Sequence, residues 1–88
     1  MMKIELEIHR YERESGLRIE WMNGSTLIVE LSDNEVLISG NRAGLLTLAT
    51  HLATLAQPEV PAGNHLHYEP DSGLEPASES LILLRLEK

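Results

Sequence analysis

Two segments near the start of the chain place an apolar residue at every second position. Residues 3–11 alternate in this way from Ile4, and residues 17–22 repeat the pattern up to Trp21. A period of two is typical of a strand with one buried face. The sequence therefore predicts two strands here, with Ile4 and Trp21 on their buried faces.

Two further strands are predicted over residues 26–31 and 35–39. Asn23 and Gly24 precede the first of them, and this pair favours a hairpin because both residues accept positive φ angles. The polar cluster at residues 32–34 predicts a second tight turn between the two strands. The first half of the chain is thus expected to form a four-stranded meander, with Val36 and Ile38 facing inward.

The apolar spacing changes to that of a helix over residues 42–57. Asn41 is placed to cap this helix, and Pro58 ends it. The predicted buried face consists of Leu45, Leu48, Ala49, Leu52 and Leu55 or Ala56. The opposite face is polar, uncharged and expected to be exposed, and it consists of Thr47, Thr50, His51, Thr54 and Gln57. An uncharged face is easily desolvated, so His51 and Thr54 are candidate partner contacts, although a plain solvent-exposed face is the alternative.

A fifth strand is predicted over residues 64–69, with His65, His67 and Glu69 on one face. Residues 70–79 are rich in Pro, Ser, Gly and acids and predict a mobile connection. Residues 81–86 form an apolar run that predicts a sixth, buried strand.

The predicted architecture is α+β, a mostly antiparallel sheet of five or six strands with one helix packed on one face, in the order ββββαββ. A chain of 88 residues has room for one core, so residues 1–88 are expected to form a single domain. The sheet face opposite the helix is expected to expose Met22, Ile28, Leu37, Leu81 and Leu83. A second copy or another partner could cover this face, or sheet twist and the long loop could hide much of it.

The charge balance restricts the class of partner. Seven Lys and Arg against fourteen Asp and Glu give a net charge of −7, which argues against binding to nucleic acid or an anionic membrane and suits a basic partner. The chain has no cysteine, no apolar run long enough to span a membrane, and glutamates within its first residues. These features predict a cytoplasmic protein. Nucleophile and nucleotide-binding motifs are missing, so we expect neither an enzyme nor a cofactor.

Two groups of residues are candidate binding sites. Four acids lie in or beside the 70–79 connection, and they could contact a cationic partner; they are Glu69, Asp71, Glu75 and Glu79. His65 and His67 share one strand face about 6.6 Å apart, which permits either contact with a partner or weak metal binding. A metal site would need a third ligand, and solvated histidines beside a solvated loop are the alternative.

Part of the chain resembles a known family. The residues that carry the resemblance run from Ile38 to Leu46 and continue through Leu48-Ala49, His51-Leu52, Leu55-Ala56-Gln57, Val60-Pro61, Gly63-Asn64-His65-Leu66-His67, Leu74-Glu75, Ser78 and Leu81-Ile82-Leu83. They are similar to a family of small bacterial immunity proteins, the predicted polymorphic-toxin immunity family numbered thirty-two. The resemblance implies an α+β protein that protects the producing cell by binding and inhibiting a toxin, and it brings no catalytic residues.

The resemblance and the charge distribution favour an immunity-type binding protein with a basic cognate toxin as its partner. The expected contacts are His51, Thr54, His65, His67, Glu69, Asp71, Glu75 and Glu79. A homodimeric structural or regulatory module joined through the uncovered sheet face is a second hypothesis. A weak metal-binding domain that uses His65 and His67 is a third.

Overall fold

A computed structural model describes residues 1–87 as an α+β fold with one helix and five strands. The elements are β1 (Leu27–Ser32), β2 (Glu35–Gly40), α1 (Arg42–Leu55), β3 (His65–Pro70), β4 (Gly73–Leu74) and β5 (Leu81–Leu84). The α+β class is confirmed. The prediction of a single sheet of five or six strands is wrong, because the strands form a two-stranded sheet, β1-β2, and a three-stranded sheet in the order β4-β3-β5. The predicted order ββββαββ is also wrong, because the structure has ββαβββ.

Strands β1 and β2 form an antiparallel hairpin, as the sequence predicts. Its turn is Asp33-Asn34, with φ angles of 50° and 64°, and short polar side chains tolerate this left-handed conformation. Leu27 and Val29 of β1 are 1% and 3% exposed and belong to the core. Ile38 of β2, in contrast, is exposed, and so is its neighbour Val36, so the prediction that they face inward is wrong.

The two strands predicted before the hairpin are not formed. Residues 1–26 contain only an isolated bridge between Glu12 and Gly16. The turn at Asn23-Gly24 exists, with Gly24 at φ +75°, but no ladder of strand pairs flanks it. Buried backbone groups still need partners, and this segment finds them on the helix.

Side chains of α1, and of Gln57 just after it, supply hydrogen bonds to the backbone of this segment. The Met22 amide donates to Oγ1 of Thr47 over 3.2 Å. The Tyr11 amide donates to Oε1 of Gln57 over 2.8 Å, and Nε2 of Gln57 donates to the His9 carbonyl over 3.0 Å. These hydrogen bonds explain why polar side chains of the helix face the interior of the protein.

The helix consequently buries only part of the predicted face, Leu48 and Leu55, together with residues of the face predicted to be exposed. Its buried residues are Gly44, Thr47, His51, Thr54 and Leu55, whereas Leu45 and Leu52 are 48% and 46% exposed. The prediction of an exposed polar face is wrong, because Thr47, His51 and Gln57 of that face bind the backbone of the N-terminal segment. The cap is confirmed, since Oδ1 of Asn41 accepts from the Gly44 amide over 2.8 Å. At the other end, Arg85 donates to the carbonyls of Leu55 and Gln57.

The connection between β3 and β5 is hydrogen-bonded along its length and is not the loose loop that its composition predicts. The amides of Glu75 and Glu79 donate to the carbonyls of Leu27 and Val29, over 3.0 and 2.8 Å. The Ser78 hydroxyl accepts from the Val29 amide. These bonds link the two sheets along the edge of β1 that β2 leaves free.

The predicted uncovered sheet face is not assembled as expected. Met22 and Leu37 are exposed, but Leu81 and Leu83 pack against the core, and Ile82 is exposed instead. The central core cluster consists of Leu27, Val29, Leu66, Tyr68 and Leu74. Within residues 1–87, no helix has the length and apolar character needed to cross a bilayer.

Candidate functional site

An exposed surface on the second sheet combines two histidines with two aliphatic residues. In the antiparallel register of β3 and β5, His65 lies opposite Leu84 and His67 lies opposite Ile82. All four side chains project from the same side of the sheet, and Ile82 and Leu84 are each 54% exposed. We call these four residues the outer face.

The alternation of β3 explains why the histidines are exposed. Leu66 and Tyr68 are 7% and 1% exposed and belong to the core cluster. Successive side chains of a strand point to opposite sides, so His65 and His67 must point outward, as the sequence predicts. Their rings lie edge to face with centroids 6.3 Å apart, and Nδ1 of His65 lies 3.2 Å from the Gly63 carbonyl.

The acidic segment, residues 69–79, continues from the end of β3. Its side chains at Glu69, Asp71 and Glu79 are exposed, and Glu75 is partly buried. The bonds to β1 fix the backbone at Glu75 and Glu79. Glu69 lies in β3 two residues after His67 and therefore on the same face of that strand.

The histidines have no third metal ligand near them. Among residues 1–87, no group of three or more His, Cys, Asp or Glu side chains is arranged to hold a metal ion. Zinc sites use three or four protein ligands. The exposed imidazoles of the outer face can donate and accept hydrogen bonds.

His51 lies in the interior, in a cluster of three rings. Its ring contacts Trp21 and Tyr68 edge to face, with centroids 5.0 and 5.5 Å away. Nε2 lies 2.7 Å from the Glu20 carbonyl, and Nδ1 lies 2.5 Å from the Tyr68 hydroxyl. A carbonyl only accepts, so Nε2 carries the proton and Nδ1 accepts from the hydroxyl.

Burial determines the protonation of this cluster. It lowers the pKa of His51, and the hydrogen bond to the Glu20 carbonyl only partly offsets this. Burial also raises the pKa of Tyr68. Both rings are therefore neutral at physiological pH, which matches their hydrogen bonds.

Two predicted contacts lie where a partner cannot touch them in this conformation. His51 is 1% exposed and Thr54 is 2% exposed, and the hydroxyl of Thr54 donates to the Thr50 carbonyl within the helix. Of the other six predicted residues, His65, His67 and Glu69 share one face of β3, and Asp71, Glu75 and Glu79 follow in the acidic segment, where Glu75 is partly buried.

Sequence reasoning missed Ile82 and Leu84 as members of the site, and it missed the buried ring cluster. Residues 81–84 are apolar at every position, so no alternation indicates which side chains point outward. The ring cluster had one available signal, because the helix carries no charge from Ala43 to Gln57. A helix without charges has no face that must stay in water.

Two depressions lie between the helix and the N-terminal segment. One has a volume of about 210 Å³ and includes His9, Glu20 and His51 in its lining. The other, of about 310 Å³, includes Glu5, Glu7 and Arg42. Ligand pockets typically measure about 300–1,000 Å³ and are mostly apolar, and charged side chains line both of these depressions. The outer face and the acidic segment remain the better candidate site.

Comparison with known families identifies the group to which the protein belongs. A family model described as Immunity protein 32 matches residues 35–86. This stretch is more than half of the chain, so the chain belongs to the Immunity protein 32 family. Membership implies a toxin-neutralising function and a toxin as partner. No curated protein and no solved structure matches the chain.

Proposed function

We propose that this protein neutralises a cognate bacterial toxin by binding it directly, with the outer face and the acidic segment as the contact surface. The single observation that carries this proposal is the placement of His65, His67, Ile82 and Leu84 on one exposed sheet face, which Glu69 continues along β3. The matched stretch, residues 35–86, contains all of these residues.

The outer face has the composition of the centre of a protein interface. Ile82 and Leu84 offer apolar area, and the two imidazoles next to them offer hydrogen-bonding groups without a fixed charge. Interface centres are depleted in charged residues and surrounded by a polar rim. The exposed aliphatic side chains supply the desolvation energy, and the acids of the neighbouring segment supply the rim.

The charge of the protein supports a basic toxin as the partner. The net charge is −7, and the acidic segment adds four carboxylates at the edge of the proposed contact. Complementary charge accelerates the encounter between two proteins more than it tightens the final complex. Charge at Asp71 and Glu79 should therefore affect the association rate first.

Inhibition of this kind requires occupation of the toxin and no chemical step. The proposal therefore includes neither catalysis nor a cofactor, and it places the protein in the cytoplasm of the producing cell, where it meets the toxin. Binding to nucleic acid or to a membrane is not part of it.

The test begins with co-expression of the chain and the product of the adjacent gene, scoring growth and complex formation. Reversal of Asp71, Glu75 and Glu79 to Lys should slow association with the purified toxin by about tenfold or more at low salt. Reversal of Glu7, Glu12 and Glu14, three exposed acids of the N-terminal segment outside the proposed surface, is the matched control and should have a much smaller effect.

The apolar part of the surface is tested separately. Ile82→Glu should raise the dissociation rate and abolish growth rescue, because it places a charge in the centre of the contact. Leu52→Glu changes an equally apolar residue, 46% exposed, on the helix and should leave rescue intact. If Asp71, Glu75, Glu79 and Ile82 can all be changed without effect on a complex that does form, the toxin binds elsewhere and the proposed surface is wrong.

A further inference from the structure

We infer that strand β2 pairs edge to edge and antiparallel with β2 of a second copy of this chain, so that two hairpins form one four-stranded sheet. The partner of β2 on one side is β1, and on the other side none of residues 1–87 pairs with it. This association concerns the chain alone and does not depend on its binding a toxin.

The hairpin register shows which backbone groups of β2 are free. In a two-residue hairpin the residues that flank the turn, here Ser32 and Glu35, form a hydrogen-bonded pair, and bonded and non-bonded pairs then alternate. Leu37 is therefore bonded to β1, whereas the N–H and C=O groups of Val36 and Ile38 point away from it.

Strand β1 confirms this alternation on its own outer side. Leu27 and Val29 lie opposite Gly40 and Ile38 in the register, so their backbone groups must also point away from the hairpin. They do, because their carbonyls accept from the amides of Glu75 and Glu79. The matching groups of β2 lack such a cover among the described residues.

From Val36 to Gly40 this edge lacks the usual protections against strand pairing. Natural edge strands are blocked by proline, charged side chains, bulges or a covering loop, and in β2, which reads EVLISG with a regular register, the only charged residue is Glu35 at the start. Its central side chains are exposed on both faces, with Val36 at 64%, Leu37 at 55% and Ile38 at 37%. A second strand can approach from the side and bury apolar area on both faces.

The charges near the two ends of β2 favour a second copy of this chain as the partner, paired in the antiparallel direction. Asp33 and Glu35 lie at one end of β2, and Arg42 lies two residues beyond the other end, as the first residue of α1. Antiparallel pairing brings Arg42 of each copy close to the acidic turn of the other. This holds in either of two registers, with Ile38 of one copy opposite Ile38 or opposite Val36 of the second copy. Parallel pairing would place acid beside acid. Arg42 is exposed and lines the depression that also includes Glu5 and Glu7, but it forms no ion pair with any other of residues 1–87.

The net charge of −7 on each copy opposes association, but only as a diffuse repulsion. At physiological salt, interactions between exposed charges are screened beyond about 8 Å. The two Arg42 contacts lie inside the interface, and the strand bonds do not depend on salt. The local arrangement therefore determines whether the copies pair.

The test is the mass of the purified full chain by light scattering at high micromolar concentration. A dimer, twice the 9.8 kDa of the chain, is expected. Val36→Pro removes an outward N–H without touching the bonds to β1 and should give the monomer mass. Val36→Thr keeps the N–H and the branched side chain, and as the matched control it should remain dimeric.

A charge exchange provides a second measurement in case Val36→Pro unfolds the hairpin. Arg42→Glu alone should raise the dimer dissociation constant about tenfold or more, and adding Glu35→Arg should restore most of the loss. A monomer at every concentration would overturn the inference. So would a dimer that survives both Val36→Pro and Arg42→Glu, because the copies would then be joined through another surface.

Discussion

His51 connects the helix, the N-terminal segment and β3 through a single neutral ring. One ring nitrogen donates to the Glu20 carbonyl and the other accepts from Tyr68. A protonated ring would carry a charge in the interior, where charged groups are costly. The behaviour of the protein in mild acid should therefore depend on this residue more than on its exposed histidines.

We expect the free energy of unfolding to fall as the pH is lowered from 7 towards 5. A histidine in the unfolded chain takes up a proton near its ordinary pKa of 6.5, whereas His51 does so only at lower pH because burial lowers its pKa. The unfolded state binds more protons in this window, so stability is complete above it and is lost as the pH falls through it. Urea titrations at several pH values measure the effect.

Two variants isolate the contribution of His51. His51→Gln should be less stable at pH 7 but should show a shallower loss between pH 7 and 5. The double variant His65→Gln/His67→Gln changes two exposed imidazoles and should keep the slope of the unaltered protein. An unchanged slope in His51→Gln would contradict this account.

Gly73 allows the acidic segment to pass over the indole of Trp21. Its φ is +103°, and a Cβ at this position would lie 2.3 Å from Cζ2 of Trp21. Gly73→Ala should cost about 2 kcal/mol or more, through both backbone strain and overlap. Gly63→Ala is the control, because Gly63 has φ +91° and open space around it, and it should lose only the backbone part. Equal losses in urea unfolding would show that the indole moves aside freely.

For single residues, the sequence predicts that the histidines of the outer face are exposed, but it does not predict that His51 is buried. His65 and His67 alternate with Leu66 and Tyr68, so the strand pattern alone separates the two faces. His51 lies on the polar side of a helix, which normally faces water. Its burial depends on hydrogen bonds to a segment more than thirty residues away, and local patterns contain no information about such partners.

At the scale of secondary structure, the helix shows that hydrogen-bonding demand can outweigh apolar periodicity. The apolar stripe that includes Leu45 and Leu52 is half exposed, and the threonines are buried. The N-terminal segment lies against the helix without a neighbouring strand, so its amides and carbonyls take side-chain partners. Burying leucines there would have left those backbone groups unpaired.

We expect substitution of a buried threonine on the helix to lower the free energy of unfolding more than substitution of an exposed leucine. The apolar periodicity of the helix implies the reverse. Thr47→Val removes the acceptor of the Met22 amide and should cost about 1 kcal/mol. Leu52→Gln changes an exposed side chain and should cost less than about 0.5 kcal/mol. Thermal or urea unfolding of the two variants provides the comparison, and a larger loss in Leu52→Gln would mean that the stripe is buried in solution.

The elements that the sequence predicts well are those fixed by local chemistry. The β1-β2 hairpin follows from the polar turn at residues 32–34, and the helix start follows from Asn41. The strands over residues 3–11 and 17–22 fail because alternation shows that a segment is extended but does not supply a neighbour to pair with. The prediction of which β5 side chains face the core is wrong because all four residues of this strand are apolar.

At the scale of the whole molecule, the chain divides into a matched and an unmatched part. The family match begins at Glu35, so it covers the outer face, the acidic segment and β2 but leaves out β1 and everything before it. The proposed surfaces for a toxin and for a second copy both lie in the matched part. The N-terminal segment contributes to the interior through Leu17, Ile19 and Trp21.

The attachment of the N-terminal segment through helix side chains has a consequence for the order of folding. The bonds from Tyr11 and Met22 span 46 and 25 residues, and their acceptors have fixed positions only once the helix exists. Contacts distant in sequence require loop closure before they contribute. The segment should therefore dock late, on a preformed hairpin and helix.

Native-state hydrogen exchange would reveal this order at equilibrium. The amides of Tyr11 and Met22 should exchange through a local opening that leaves Leu37 and the helix centre protected. If all of these amides instead exchanged with one free energy, the segment and the helix would form a single cooperative unit. In the first case the first third of the chain can detach from a remainder that folds independently. The sequence of this segment can then evolve separately from the sequence of the binding surfaces.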